Sequence, residues 1–249
     1  MPADWIALDA SAPQHRLWRM QGDTVRGRQA CAAPDLAATI ARMSDGQSLP
    51  IRATGLNAAP RAVPCAARPE HGVGLGYEGV ALTAMPALSQ AQPPHKSWGA
   101  EAAIAGFVAL NPKFDGVLCL PGTATVWAHI SAEEVISFQA FLTPQLAAGL
   151  TPPAPGAGFE QAVSDGMARP ERLAERLASA HSQSDPAPMI WGALIGAELA
   201  AARPYWLGQQ VAVVGSGALA AVYAAAITAQ GLPPIQADGE AMLLKGLAP

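Results

Sequence analysis

The stretch Val211-Ala-Val-Val-Gly-Ser-Gly-Ala-Leu-Ala-Ala-Val-Tyr-Ala-Ala-Ala-Ile227 constrains this chain more than any other. A Val-rich apolar run stops at Gly215-Ser216-Gly217, and an Ala-rich run of helical composition follows. Strand, glycine turn and helix in that order call for an α/β architecture. They also bring backbone N–H groups and a helix N-terminus up to an anion such as a nucleotide phosphate. The bare motif has three uses. Gly215–Ala220 fits the dinucleotide pattern G-x-G-x-x-A, with Asp238 near the place of a ribose-binding acid. Such a unit needs further strands after Asp238, where 11 residues remain. The second use is a turn under the adenosine of a mononucleotide, and the third is a plain connection between a strand and a packed helix. The mononucleotide use is favoured.

Other classes are disfavoured by composition. Val211–Ala229 runs 19 residues without a charge, which raises a membrane span. Gly-Ser-Gly interrupts it after four residues, much of it is Ala and Gly, and no cationic flank lies near either end, so no membrane partner is expected. The net charge is −4 without a basic run, which argues against a nucleic-acid partner. Cys31, Cys65 and Cys119 are odd in number and widely spaced, so neither a disulfide framework nor a metal-ligand set follows. The start of the chain has Asp4 and Asp9 around a short apolar run and does not read as a signal peptide. A cytoplasmic protein is the simple expectation. The oligomeric state stays open, a homodimer included.

Trp5–Leu8 reads as a buried strand, and Leu17–Met20 as its hairpin partner. Leu36, Ile40 and Met43 share one face of a helix over Asp35–Met43. Ala58–Pro94 is rich in Pro, Gly and Ala and reads mostly as loop. Ser97 is placed to cap a helix reaching about Leu110. Gly116–Leu120 is a continuous apolar strand that ends at Pro121-Gly122-Thr123, and Val126–Ile130 with Val135–Leu142 forms a hairpin. Helices are expected over Phe159–Met167, Pro170–Ala180 and Ala187–Arg203, the last stopped by Pro204. A final strand at Ile235–Ala237 and a helix at Glu240–Leu247 close the chain. Strands lead and helices follow in each half, which suggests two similar α/β lobes, 1–115 and 116–249.

Three further strings carry chemistry. Leu118-Cys-Leu-Pro-Gly-Thr123 is a strand running into a Gly-Thr turn. Its backbone donors and hydroxyl suit a phosphate, and a tight hairpin turn is the plainer use. Leu194-Ile-Gly-Ala-Glu198 places a carboxylate in a very apolar helix, either as a half-exposed group paired with Arg203 or as a contact to a ribose or base. Asp9, Arg16 and Trp18 follow the first strand. In this order, with Trp98–Phe107 and Trp191–Leu247, these strings resemble the 2-dehydro-3-deoxygalactonokinase family of sugar-acid kinases. The resemblance is densest over Gly116–Leu150 and Trp191–Leu247.

The resemblance implies an α/β, two-lobed, actin-like (ribonuclease H-like) sugar-kinase fold, with nucleotide and sugar acid in the cleft between lobes. It implies transfer of the γ-phosphate of ATP, with Mg²⁺, to the C6 hydroxyl of 2-dehydro-3-deoxy-galactonate. Carried over residue by residue, Asp9 would be catalytic and would organise Mg²⁺. Arg16, Glu101, Gly122 and Thr123 would contact substrate or phosphate. Glu198, Gly215, Ser216 and Gly217 would serve the nucleotide. The departures fall on the chemistry. The family opens with Asp-Trp-Gly-Thr (or Ser)-x-Asn-Leu-Arg-x-Trp, and here Ala10-Ser-Ala-Pro13 stands in place of the phosphate loop. Its Gly-Met-x-Gly-Ser is Gly55-Leu-Asn-Ala-Ala59, and its Arg-Gly-Glu-Glu is Trp98-Gly-Ala-Glu101. The His and Lys of its Pro-Gly-Thr-His-x-Lys-Trp turn have become Ala124 and Val126. Each such group commonly contributes about a hundredfold in rate. A chain lacking several has little kinase activity unless His15, Arg16, Arg61, His95 or Lys96 substitutes. The alternative is a degenerate, non-catalytic relative that binds nucleotide or sugar acid as a regulatory or interaction protein.

Overall fold

The computed structural model describes residues 3–249. The chain forms two compact units. Met1–Lys113, Glu133–Val135 and Glu240–Pro249 make the first; Phe114–Ala132 and Ile136–Gly239 make the second.

The first unit begins with a meander of β1 (Asp4–Asp9), β2 (Gln14–Gln21) and β3 (Thr24–Ala32). β1 is apolar on both faces because both faces are covered. Ile6 and Leu8 join a core with Leu17, Leu36 and Ile51. Trp5 and Ala7, pointing the other way, join one with Trp18, Ala102 and Ala105. Helix α1 (Leu36–Met43) crosses over to β4 (Ile51–Thr54), which runs parallel to β1. The segment expected as loop holds structure: β5 (Arg61–Ala62), β6 (Cys65–Ala66), β7 (Val73–Tyr77), β8 (Val80–Ala84) and β9 (Leu88–Gln90), followed by β10 (His95–Lys96). β7 and β8 form a hairpin whose turn residues, Glu78 and Gly79, have φ of 48° and 75°. Gly74 and Gly76 remove the alternating side chains that would have revealed β7. The large sheet runs β3-β2-β1-β4-β8-β7, and a small one runs β10-β9-β5. Helix α2 (Glu101–Leu110) follows. Ser97 is not its cap, since the N-cap is Ala100 with no side-chain bond.

In the second unit β11 (Gly116–Leu120) and β12 (Thr125–Ser131) form an antiparallel pair closed by the Pro121–Ala124 turn. β13 (Glu134–Phe141) follows a turn in which Ala132 and Glu133 have φ of 49° and 63°. Its first residues, Glu134 and Val135, belong to the first unit, where they pair with Ala66 and Cys65 of β6. Helices α3 (Thr143–Ala148), α4 (Phe159–Ala168), α5 (Leu173–His181), α6 (Ala187–Ala201) and α7 (Arg203–Trp206) come next. The expected single helix over 187–203 breaks at Ala202. Pro204 sits in the first turn of α7, where its missing N–H has no partner to lose. α6 is apolar nearly all round because Trp191, Leu194, Ile195 and Leu199 are enclosed in the core. β14 (Val211–Gly215), α8 (Gly217–Thr228) and β15 (Ile235–Asp238) complete a parallel extension, giving the order β15-β14-β11-β12-β13.

The last helix, α9 (Gly239–Leu247), returns to the first unit from Glu240 onward and packs on α2. The helices touch through glycine. A Cβ on Gly106 would lie 1.8 Å from Met242 O, and one on Gly246 would lie 1.8 Å from Ala102 O. Arg28 and Glu240 add an ion pair of 2.8 Å.

Candidate functional site

The antiparallel register of β1 and β2 sets Asp9 directly opposite Arg16. The Asp9 carboxylate is buried at 3% exposure and closed on both oxygens. Arg16 donates to Oδ2 from Nη2 at 2.6 Å and from Nε at 3.2 Å. The Ser11 backbone N–H donates to Oδ1 at 2.9 Å. The guanidinium also lies 5.4 Å from the centre of the Trp18 ring, a cation–π contact that fixes its plane. Asp9 and Arg16 are thus one charge-assisted pair at the C-terminal end of a central strand.

The Ala10–Pro13 turn that follows has little left to offer a phosphate. Ala10 N–H is bonded to Thr54 O at 3.0 Å, Ser11 N–H is held by Asp9, and Pro13 has no N–H. The turn is seated against two glycines. A Cβ on Gly55, which has φ +77°, would lie 2.4 Å from Ser11 N. One on Gly99, at φ +89°, would lie 2.3 Å from Ser11 Cβ.

Glu101, expected to contact substrate or phosphate, holds this seat together. It is fully buried. Oε1 accepts from Thr54 Oγ1 at 2.6 Å and from Gly55 N–H at 3.1 Å, and Oε2 accepts from Ser97 Oγ at 2.6 Å. Ser97 Oγ in turn accepts from Leu88 N–H at 2.9 Å, so the serine links α2 to β9. Asp9, Arg16 and Glu101 therefore belong to one cluster, joined through Ser11 and Gly55.

The cations that could replace lost family groups are committed elsewhere or lie apart. His15 is buried; its Nδ1 is 3.1 Å from Ala12 O and its Nε2 is 2.9 Å from the Tyr77 hydroxyl. Because Ala12 O can only accept, the ring carries its proton on Nδ1. Arg61 donates to Ala66 O at 2.6 Å and Ala67 O at 3.4 Å. His95 and Lys96 lie on β10 of the small sheet, and burial pushes the His95 pKa down.

In the second unit Gly122 and Thr123 lie in the hairpin turn between β11 and β12. Pro121 of that turn lies against Gly215, its Cδ 3.6 Å from where a Cβ would stand. The two glycine turns are thus adjacent. Ser216 precedes the first turn of α8 without capping it, because its hydroxyl donates to Asp238 Oδ2 at 2.9 Å and accepts from Gly239 N–H at 3.2 Å. Gly217 takes φ +66°, and a Cβ there would meet nothing within 4 Å. The N-terminus of a twelve-residue helix is left uncovered by side chains at this point.

Glu198, expected either to pair with Arg203 or to contact a ribose or base, is hydrogen-bonded to Trp127 and Tyr223. It is 3% exposed in the core. It accepts from Trp127 Nε1 at 2.7 Å and from the Tyr223 hydroxyl at 2.9 Å, and Tyr223 also bonds Thr125. Burial pushes the Glu198 pKa up to about 7, against the opposing pull of hydrogen bonds from Thr143, Trp127 and Tyr223. Burial likewise raises Tyr223 and Cys119, each further raised by the neighbouring Glu198 charge. Sequence reading missed the partners that settle Glu198. Trp127 and Tyr223 lie 71 and 25 residues away from it, and only the sheet brings them together.

Among the described residues no cluster of three metal-ligating side chains occurs. The magnesium of a nucleotide complex does not need one, since it keeps water and phosphate oxygens and takes one or two carboxylates. Asp9 stands at a strand end, but Arg16 and the Ser11 N–H occupy both its oxygens, so a metal there would have to displace one of these bonds. No helix among the described residues is long and apolar enough to cross a membrane.

The fold is shared with a solved structure from Sinorhizobium meliloti whose name places it with the 2-dehydro-3-deoxygalactonokinases. It has a TM-score of 0.82 at 24% identity, covering 98% of this chain and 96% of that one. The shared fold is the α/β, actin-like (ribonuclease H-like) one that the resemblance implies. A curated protein of Rhizobium meliloti (strain 1021), carrying the name Probable 2-dehydro-3-deoxygalactonokinase DgoK1, is 27% identical over 189 residues. That match takes in 66% of this chain and spans 62% of the relative's length. The model of the 2-keto-3-deoxy-galactonokinase family matches residues 14–249, beginning just past the Ala10–Pro13 turn. With the strand–turn–helix of β14 and α8 and all but the first strand and its turn inside that match, the chain belongs to the 2-keto-3-deoxy-galactonokinase family.

Proposed function

We propose that this chain acts as a 2-dehydro-3-deoxygalactonokinase-like protein on the ligands of its family, ATP with Mg²⁺ and 2-dehydro-3-deoxy-galactonate. The family reaction phosphorylates the C6 hydroxyl of that sugar acid. The observation that carries the reading is the retained Asp9–Arg16 pair at the end of β1. In this reading Asp9 holds the metal or orients the acceptor hydroxyl, and Arg16 fixes the carboxylate and neutralises charge beside it. Gly122 and Thr123 contact phosphate, and Gly215, Ser216 and Gly217 lie under the adenosine. Bound Mg²⁺ supplies charge neutralisation on the phosphates.

A second reading is favoured by the Ala10–Pro13 turn. Its first two N–H groups are spent internally and Pro13 has none. A phosphate loop works by pointing such groups at the moving phosphate. Without them, and without the family's Lys and His, the chain binds its ligands with little or no transfer and serves as a regulatory or partner protein.

Two measurements separate the readings. Mg-ATP and 2-dehydro-3-deoxy-galactonate should each raise the melting temperature under both. A coupled ADP-release assay then decides: turnover that Asp9→Asn abolishes establishes the kinase. No turnover, with both thermal shifts present, establishes binding alone. If neither ligand moves the melting curve, both readings fail.

A further inference from the structure

We propose that the first unit also carries a binding site for a small, multiply charged anion, built on Arg52 and Arg68. It shares no residue with the Asp9 cluster or the Ser216 turn, and it does not rest on the function proposed above.

The site is a cavity of about 420 Å³ whose wall includes Arg52, Arg68, His71, Thr83 and the end of α9. Arg52 lies on β4 directly opposite Thr83 of β8, so the two side chains stand side by side on one face of the sheet. Arg68, just past β6, reaches the same wall from another direction. One carbonyl gathers both guanidiniums: Ala248 O accepts from Arg68 Nη2 at 2.6 Å and from Arg52 Nη1 at 3.4 Å.

The shared acceptor carries no charge. Two like charges converge on one neutral acceptor and repel each other. Among the described residues neither arginine forms an ion pair, whereas Arg16, Arg19, Arg28, Arg172 and Arg176 each do. A guanidinium has five N–H donors. The bonds described use one from each arginine, both on the single Ala248 carbonyl just past α9. Arg52, Arg68, His71 and Thr83 line the cavity together. Paired guanidiniums in a concave wall are the geometry that binds the oxygens of a phosphate or carboxylate group in a fork. The carboxylates of Glu70 and Pro249, which also line the cavity and form no ion pair with either arginine, set a limit on that affinity. The volume suits a phosphate ester or dicarboxylate of metabolite size.

The test is calorimetric titration of the full chain with inorganic phosphate and with malonate at constant ionic strength. We expect saturable binding of at least one probe, with a Kd of about 1 mM or tighter. Phosphate alone identifies the ligand class as a phosphate ester; malonate binding extends it to carboxylates. The double variant Arg52→Met with Arg68→Met should lose binding altogether. Two milder variants guard against loss of the α9 anchor. Arg68→Lys keeps the charge and a donor for Ala248 O but loses the fork, and should weaken binding roughly tenfold. Glu70→Gln removes one opposing charge and should tighten binding roughly threefold. No saturable heat from either probe overturns the proposal. Unchanged affinity in both Arg68→Lys and Glu70→Gln, or in a double variant that still folds by circular dichroism, overturns it too.

Discussion

Glu198→Gln should make the protein more stable at alkaline pH and flatten its pH dependence. The wild-type carboxyl starts from an ordinary value of 4.5 and is raised by burial to about 7 in the folded chain. A carboxyl raised on folding favours the folded state fully below its unfolded value. That contribution is lost as the pH climbs through the folded value. Between about pH 4.5 and pH 7 the unfolded chain releases a proton that the folded chain keeps. The loss across that window is about 3 kcal/mol. Glutamine has the same shape and no charge. Its carbonyl can accept from Trp127 Nε1, and its amide can donate to the Tyr223 oxygen while the Tyr223 hydroxyl turns to Thr125. The network therefore survives, and only the titration goes. Urea unfolding of both proteins at about pH 5 and about pH 8 reads the effect. All other titrating groups are common to the two proteins, so the difference isolates this carboxyl. We expect near equality at about pH 5 and a variant more stable by up to about 3 kcal/mol at about pH 8. A stability difference that is the same at both pH values, or a variant that loses ground as the pH rises, refutes the reasoning.

Other substitutions test other contacts. Gly246→Ala puts a methyl 1.8 Å from Ala102 O, with backbone on both sides. The expected loss of about 2 kcal/mol outweighs the roughly 1 kcal/mol gain in helix propensity, and a raised urea midpoint would contradict the close α2–α9 contact. Ser216→Ala removes the bonds to Asp238 and Gly239 N–H and should cost about 1 kcal/mol of unfolding free energy in the same assay, because both lie at the surface. Restoring the family's loop through Ser11→Gly, Ala12→Thr and Pro13→Ala should raise ADP release at least about tenfold if the turn limits transfer. A folded variant with no gain assigns the deficit to the missing Lys and His instead.

The elements legible in the sequence were those whose side chains face a core. β1, β2, β11, the β12–β13 hairpin and β14 are runs of large apolar residues, and α4, α8 and α9 carry their own boundaries. β7 was not legible because its alternation, Val73, Leu75 and Tyr77 with Gly74 and Gly76 between them, is short and its outward residues are glycines in a stretch rich in Gly and Pro. The break between α6 and α7 was hidden because Pro204 can begin a helix as readily as end one. At the site, Asp9 and Arg16 stood out in the sequence as separate ligand contacts, and only the β1–β2 register shows that they pair with each other. The roles of Glu101 and Glu198 did not. A carboxylate in an apolar helix is equally compatible with a ligand contact and with a buried network. The deciding partners, Thr54 and Ser97 for one, Trp127 and Tyr223 for the other, come from strands and helices that only the folded chain brings near.

The return of α9 to the first unit has a consequence for how the protein is made. The face of α2 that carries Ala102, Ala105 and Gly106 stays uncovered until residues 240–249, which are made after the whole of the second unit, have emerged. The second unit, lying between these stretches in sequence, can close on itself before then. The first unit must wait with an open apolar face, so of the two units the one whose strands are made first is the one that finishes folding second.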